Sequence, residues 1–119
     1  MKVAVTGSRD FIDRQFVFDA MDEIKQAHGL TLLIHGAATG VDSLCRDWAD
    51  ARGIPTKAFP VTKADWQRQG MAAGPIRNGL MVAEKPAYVV VFPGGRGTAN
   101  MRKQTEAAGI PVVLVKYNP

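Results

Sequence analysis

A chain of 119 residues is long enough to bury one core and too short for two domains, so a single domain over residues 1–119 is expected. Its 46% hydrophobic and 22% charged residues exclude a disordered or fibrous chain, and its one cysteine excludes both an internal disulfide and a cysteine-cluster metal site. The net charge of +4 is uneven: residues 1–60 hold seven Lys/Arg against eight Asp/Glu and residues 61–119 hold eight against three, so the second half attracts anions without the block of like charge that marks a nucleic-acid-binding tail.

In chain order, residues 2–6 read as a first strand that follows Met1 directly, where a secreted protein would carry a signal peptide. The turn Gly7-Ser8-Arg9-Asp10-Phe11 comes next. Asp13 then caps a helix to about Ala27, with Val17, Ala20, Met21 and Ile24 as its apolar stripe and Gly29 as its stop. Residues 30–34 form the second strand and open into the small-residue loop His35-Gly36-Ala37-Ala38-Thr39-Gly40-Val41-Asp42. The helix after it runs through Arg52 and ends at Gly53. Within it Cys45 lies beside Val41, Leu44 and Trp48 at helical spacing, as a core residue and not a nucleophile.

Residues 56–59 make a short third strand. Residues 61–85 are the least regular: Trp66 stands among polar neighbours, Gly70 and Gly74 interrupt any long helix, and a new helix begins near Pro75. Residues 87–92 are β-branched and aromatic without polar alternation, as in a strand buried on both faces of a parallel sheet. Pro93-Gly94-Gly95-Arg96-Gly97-Thr98 follows, with Thr98 expected to cap a helix to Ala108. Gly109 ends that helix, and residues 111–115 are the fifth strand. The longest apolar run falls far short of the roughly 20 residues of a membrane helix, so a cytoplasmic protein with no membrane partner is expected.

Alternating strands and helices predict an α/β fold: one Rossmann-like three-layer domain with a five-stranded parallel sheet, order 3-2-1-4-5, and helices on both faces. In that order the first and fourth strands are neighbours and winding reverses between them, which puts ligands at their carboxyl ends. Three glycine-bearing loops then meet at one edge, through Gly7, Gly36 and Gly40, and Gly94, Gly95 and Gly97. Backbone amides at a glycine loop and a helix N-terminus attract an anion. The last loop is neither GxGxxG nor a P-loop.

Arg9, Arg77 and Arg96 are the candidate phosphate partners, because guanidinium forks match phosphate oxygens. Ser8 and Thr98 offer hydroxyls, or serve as turn and cap residues. Asn78 reads a base edge or caps a turn, and Trp66 stacks on a base or closes a minor core. Asp42, in the first turn of a helix, binds a ribose hydroxyl, acts as general acid or base, or simply stabilises the helix start. Asp10 and His35 are weaker candidates. No metal-spaced cluster or catalytic triad is present in the spacing, and no cofactor is called for.

These stretches, together with Trp48-Ala49, Trp66 and Ala73-Gly74-Pro75-Ile76-Arg77-Asn78, resemble the YspA-type, cpYpsA-related branch of the SLOG superfamily, which also holds DNA-processing protein A and the Lonely Guy enzymes. The resemblance implies a Rossmann-like domain for nucleotides or nucleotide-derived ligands, enzyme in some relatives and sensor in others, that commonly self-associates as a dimer or higher oligomer. Lonely Guy phosphoribohydrolases carry Pro-Gly-Gly-x-Gly-Thr-x-x-Glu and an upstream catalytic arginine. Here Pro93 to Thr98 match and Arg77 stands for the arginine, but Met101 takes the glutamate position, and Glu106 lies five residues on. A complete cradle beside an incomplete catalytic set favours a nucleotide-binding sensor or sequestering module. The alternatives are a nucleotide N-glycosidase using Asp42 and Arg77 and, last, single-stranded nucleic-acid binding.

Overall fold

A computed structural model describes residues 1–118. The β-branched runs form five strands, β1 (Lys2–Thr6), β2 (Leu32–His35), β3 (Thr56–Ala58), β4 (Tyr88–Val91) and β5 (Val112–Leu114), all pairing in parallel in the order β3-β2-β1-β4-β5. The helices are α1 (Arg14–His28), α2 (Val41–Ala51), α3 (Lys63–Gln69), α4 (Ala73–Ala83) and α5 (Arg96–Ala107), with a 3-10 turn at Gly70–Ala72 between α3 and α4. Among the described residues no helix is long and apolar enough to cross a membrane.

Strand side chains alternate between two cores. Val3, Val5, Leu33, Val90 and Phe92 face α1 and α2, where Met21, Cys45 and Trp48 complete the larger cluster. Ala4, Ile34, Val89 and Val91 face the other way and meet Met81 of α4 and Met101 of α5. Three layers result, as the alternation of elements predicts. Asp13 caps α1 by accepting from the Phe16 amide, and Gly29, at φ 78°, ends it.

The structure departs from the sequence reading at three places. Thr98 is not a helix cap: Gly95 takes that place, its carbonyl accepting from the Ala99 amide at 3.0 Å, so α5 starts at Arg96 and Thr98 lies inside its first turn against Gly94. Residues 61–85 are more regular than expected, because Thr62 and Asp65 form a reciprocal capping box that starts α3. Gly74 does not interrupt α4. It sits with Pro75 in the first turn, where amides have no intrahelical partner and neither residue costs the helix a hydrogen bond.

Candidate functional site

The carboxyl ends of β1, β2 and β4 are tied together by their own loops. The Ser8 amide donates to the Pro93 carbonyl at 2.9 Å, the Val41 amide to the Ser8 carbonyl at 3.0 Å, and the Thr39 hydroxyl to the Arg9 carbonyl at 2.9 Å. Such close contact requires glycine. Gly40, at φ 73°, lies against the backbone of Ser8 and Arg9, and a Cβ at Gly94 would run into the Thr98 side chain and the Ser8 amide.

A cleft of about 610 Å³ opens above these loops at the β1/β4 edge. Gly7, Ser8 and Arg9 line it from the first loop, Asp42 from α2, and Gly95, Arg96, Gly97 and Thr98 from the start of α5. Trp66 of α3 and Arg77 and Asn78 of α4 complete its lining. Gly36, Gly40 and Gly94 are not among its lining residues; they hold the loops beneath it.

The loops differ in what their amides have left to give. In the loop after β2, the Gly36 and Ala38 amides donate to Asp42 Oδ2 at 3.1 and 3.3 Å, and the Ala37 amide donates to His35 Nδ1 at 3.0 Å. Ala37 adopts φ 57°, a left-handed conformation that turns its neighbours' amides onto the carboxylate as a nest. At α5 the amides of Gly95, Arg96, Gly97 and Thr98 have no acceptor among the described residues, and the first turn contains no acidic side chain. These four residues line the cleft, so unpaired donors and the positive end of the helix dipole lie at its wall.

Asp42 is 7% exposed, and burial pushes its carboxyl up to about 6, against the pull of the Ala38 amide, the Arg77 guanidinium, the Gly36 amide and Arg9. Arg77 is half-buried. Its Nη1 donates to the carbonyls of Gly36 at 2.6 Å and Phe59 at 3.3 Å, and its Nε donates to Asn78 Oδ1 at 3.0 Å, which binds α4 to the loops after β2 and β3. Burial lowers the guanidinium's pKa while Asp42 opposes that shift. Asn78 donates to the Gly97 carbonyl and to Asn100 Oδ1, each at 3.2 Å, clamping α4 against α5. Arg9 and Arg96 are exposed and, among the described residues, form no ion pair; the Arg9 guanidinium lies 5.9 Å from the Trp66 ring centroid.

Asp10 also lines the cleft, whereas His35 does not. His35 is buried with its pKa lowered by burial, and its Nε2 has no partner among the described residues. Met101 is fully buried among Ala4, Ile34, Met81 and the strand valines, so the position that carries the Lonely Guy glutamate lies in the core here. Glu106 is an exposed partner of Arg102 at 3.4 Å. Asn100 and Met71 line the cleft without having been singled out from the sequence. Asn100 becomes legible once α5 is started at Arg96, since it then follows the free amides by one turn.

The profile of the YspA, cpYpsA-related SLOG family matches residues 1–69. The chain is 37% identical to the Gene 61 protein of Mycobacterium phage D29 over 119 residues, 94% of each chain. Among solved structures it is similar to DNA processing protein A from Streptococcus pneumoniae, with a TM-score of 0.74 at 19% identity. That likeness is one of fold: it covers 98% of this chain, which spans about half of the larger one, 50% of its length.

Proposed function

We propose, for a chain that belongs to the YspA, cpYpsA-related SLOG family, that the cleft binds a nucleotide or nucleotide-derived ligand as a sensor or sequestering module. The observation that carries this reading is the start of α5. Four free amides and Arg96 lie at the wall of a cavity of small-molecule size that Arg9 and Arg77 also line. A phosphoryl group satisfies these donors and neutralises the cations. Trp66, 40% exposed above the cleft, offers an aromatic face to a base. Such a ligand fits a cytoplasmic setting.

Calorimetry with nucleoside monophosphates, ADP-ribose, NAD and cyclic nucleotides tests the proposal. Micromolar binding of at least one, weakened about tenfold or more in Arg96→Ala, is the expected result, and silence from the whole panel at millimolar concentration overturns it.

One observation favours a second reading, a nucleotide N-glycosidase. Asp42 is a carboxyl raised to about 6 beside a half-buried arginine, the condition in which an acid can donate or accept a proton near neutral pH. Chromatography of incubated nucleoside monophosphates would reveal free base, and base release that survives Asp42→Asn rejects the role. Self-association belongs to the proposal as well. Ile76 and Leu80, one turn apart on α4, are exposed, and the only charge on that helix, Arg77, is turned inward, so a second copy could cover the stripe without burying a charge. Light scattering of native protein and Leu80→Glu decides it: a dimer that dissociates in the variant is expected.

A further inference from the structure

We propose that the cleft selects ribonucleotides over deoxyribonucleotides, with Asp42 as the residue that reads a ribose hydroxyl; the inference rests on the nucleotide reading above. Asp42 cannot turn freely, because both the Gly36 and the Ala38 amide hold its Oδ2. Its Oδ1 has no protein partner among the described residues and is not sealed from solvent, although the residue is 7% exposed and lines the cleft. The wall of an anion-binding cavity therefore contains one fixed, outward-facing acceptor that carries negative charge.

A phosphoryl group is repelled there and is drawn instead to the amides of α5. Of the groups a nucleotide carries, the one suited to face Asp42 is an uncharged donor. A base has donors, but its flat surface is accommodated by Trp66 on α3, above the cleft and partnered by Arg9. The order phosphate, sugar, base then runs from α5 past Asp42 to Trp66, and a sugar hydroxyl meets the open oxygen. Removing that hydroxyl leaves a nearly buried carboxylate oxygen without a donor, and a hydrogen bond to a charged group of this kind is worth about ten- to a hundredfold in affinity.

The test is calorimetry on the full chain with AMP, 2′-deoxy-AMP and 3′-deoxy-AMP, and with ribose 5-phosphate against 2-deoxyribose 5-phosphate. AMP is expected to bind at least tenfold tighter than one of its deoxy forms. The preference should shrink severalfold in Asp42→Asn, whose side-chain carbonyl can keep both amide bonds while its NH₂ replaces the charged acceptor. Equal binding of ribo and deoxy forms overturns this inference and leaves the nucleotide reading standing, whereas absence of binding by every probe overturns both. An undiminished preference in Asp42→Asn also overturns it. Should that variant fail to fold, the native protein decides the matter alone: the ribo-to-deoxy ratio, in which phosphate ionisation cancels, must fall between pH 8 and pH 5, and a constant ratio overturns the assignment.

Discussion

Two glycine loops in this molecule are built from similar residues and end in opposite states. The loop after β2 leads into α2, and its amides close onto Asp42, the second residue of that helix. The loop after β4 leads into α5, whose second residue is Gly97, and its amides remain open. Both present a ring of N–H donors at a helix start, where a negative charge is favoured. One loop contains its own anion and is therefore a structural joint and, through Asp42 Oδ1, an acceptor. The other contains none, which is why the proposed anion site is placed there. A glycine-rich turn at the end of a strand says little about ligand binding until the occupant of its amides is known.

The largest expected effect comes from erasing the difference. Gly97→Asp puts a carboxylate where Asp42 stands in the other helix, and a Cβ at Gly97 meets no atom within 4 Å, so the fold tolerates it. Nucleotide affinity should fall by about a hundredfold or more while the melting temperature holds or rises, since the new carboxylate both fills the amide ring and repels phosphate. A variant that binds as well as the native chain would show that α5 is not the anion site.

A smaller effect follows from the ionisation of Asp42. Its folded pKa, about 6, is raised above the ordinary aspartate value of 3.8, so the stability it contributes is full below the unfolded pKa and is lost as pH rises through the folded one. Between pH 7 and pH 5 the native protein should gain about 1.4 kcal/mol relative to Asp42→Asn, read as the difference between two urea titrations at each pH. Binding of a hydroxyl donor has the opposite sign, strongest with the carboxylate ionised. The two trends together separate a buried acid that merely destabilises the fold from one that serves a ligand.

The smallest effect concerns the geometry of the filled loop. Ala37 adopts φ 57° in order to aim its neighbours' amides at Asp42, and it is exposed. Ala37→Gly relieves that strain and should raise stability by about 0.5–1 kcal/mol in urea denaturation, less the entropy that glycine gives the unfolded chain. No change would mean that the nest is held without strain.

The order of residues alone determined the architecture, because the pattern that encodes it is local and repeated. Apolar β-branched runs, each followed by a glycine turn and an amphipathic stretch, admit a parallel sheet in few orders, and 3-2-1-4-5 is the one observed. The same pattern put Gly7, Arg9, Asp42 and the residues 95–98 at one edge, whereas Arg77 depended on how the irregular third crossover folds. Boundaries were less legible: Thr98 has the residue type of a cap but Gly95 takes the position, and the capping box of Thr62 and Asp65 is a local signal masked by the glycines that follow it. Only the tertiary structure decided which amides are free, that Met101 is core, and that Asn100 reaches the cleft. The reason is physical: a residue's type states what it can donate or accept, but whether that capacity is already spent depends on the neighbours that folding brings within about 3 Å, and those lie anywhere along the chain.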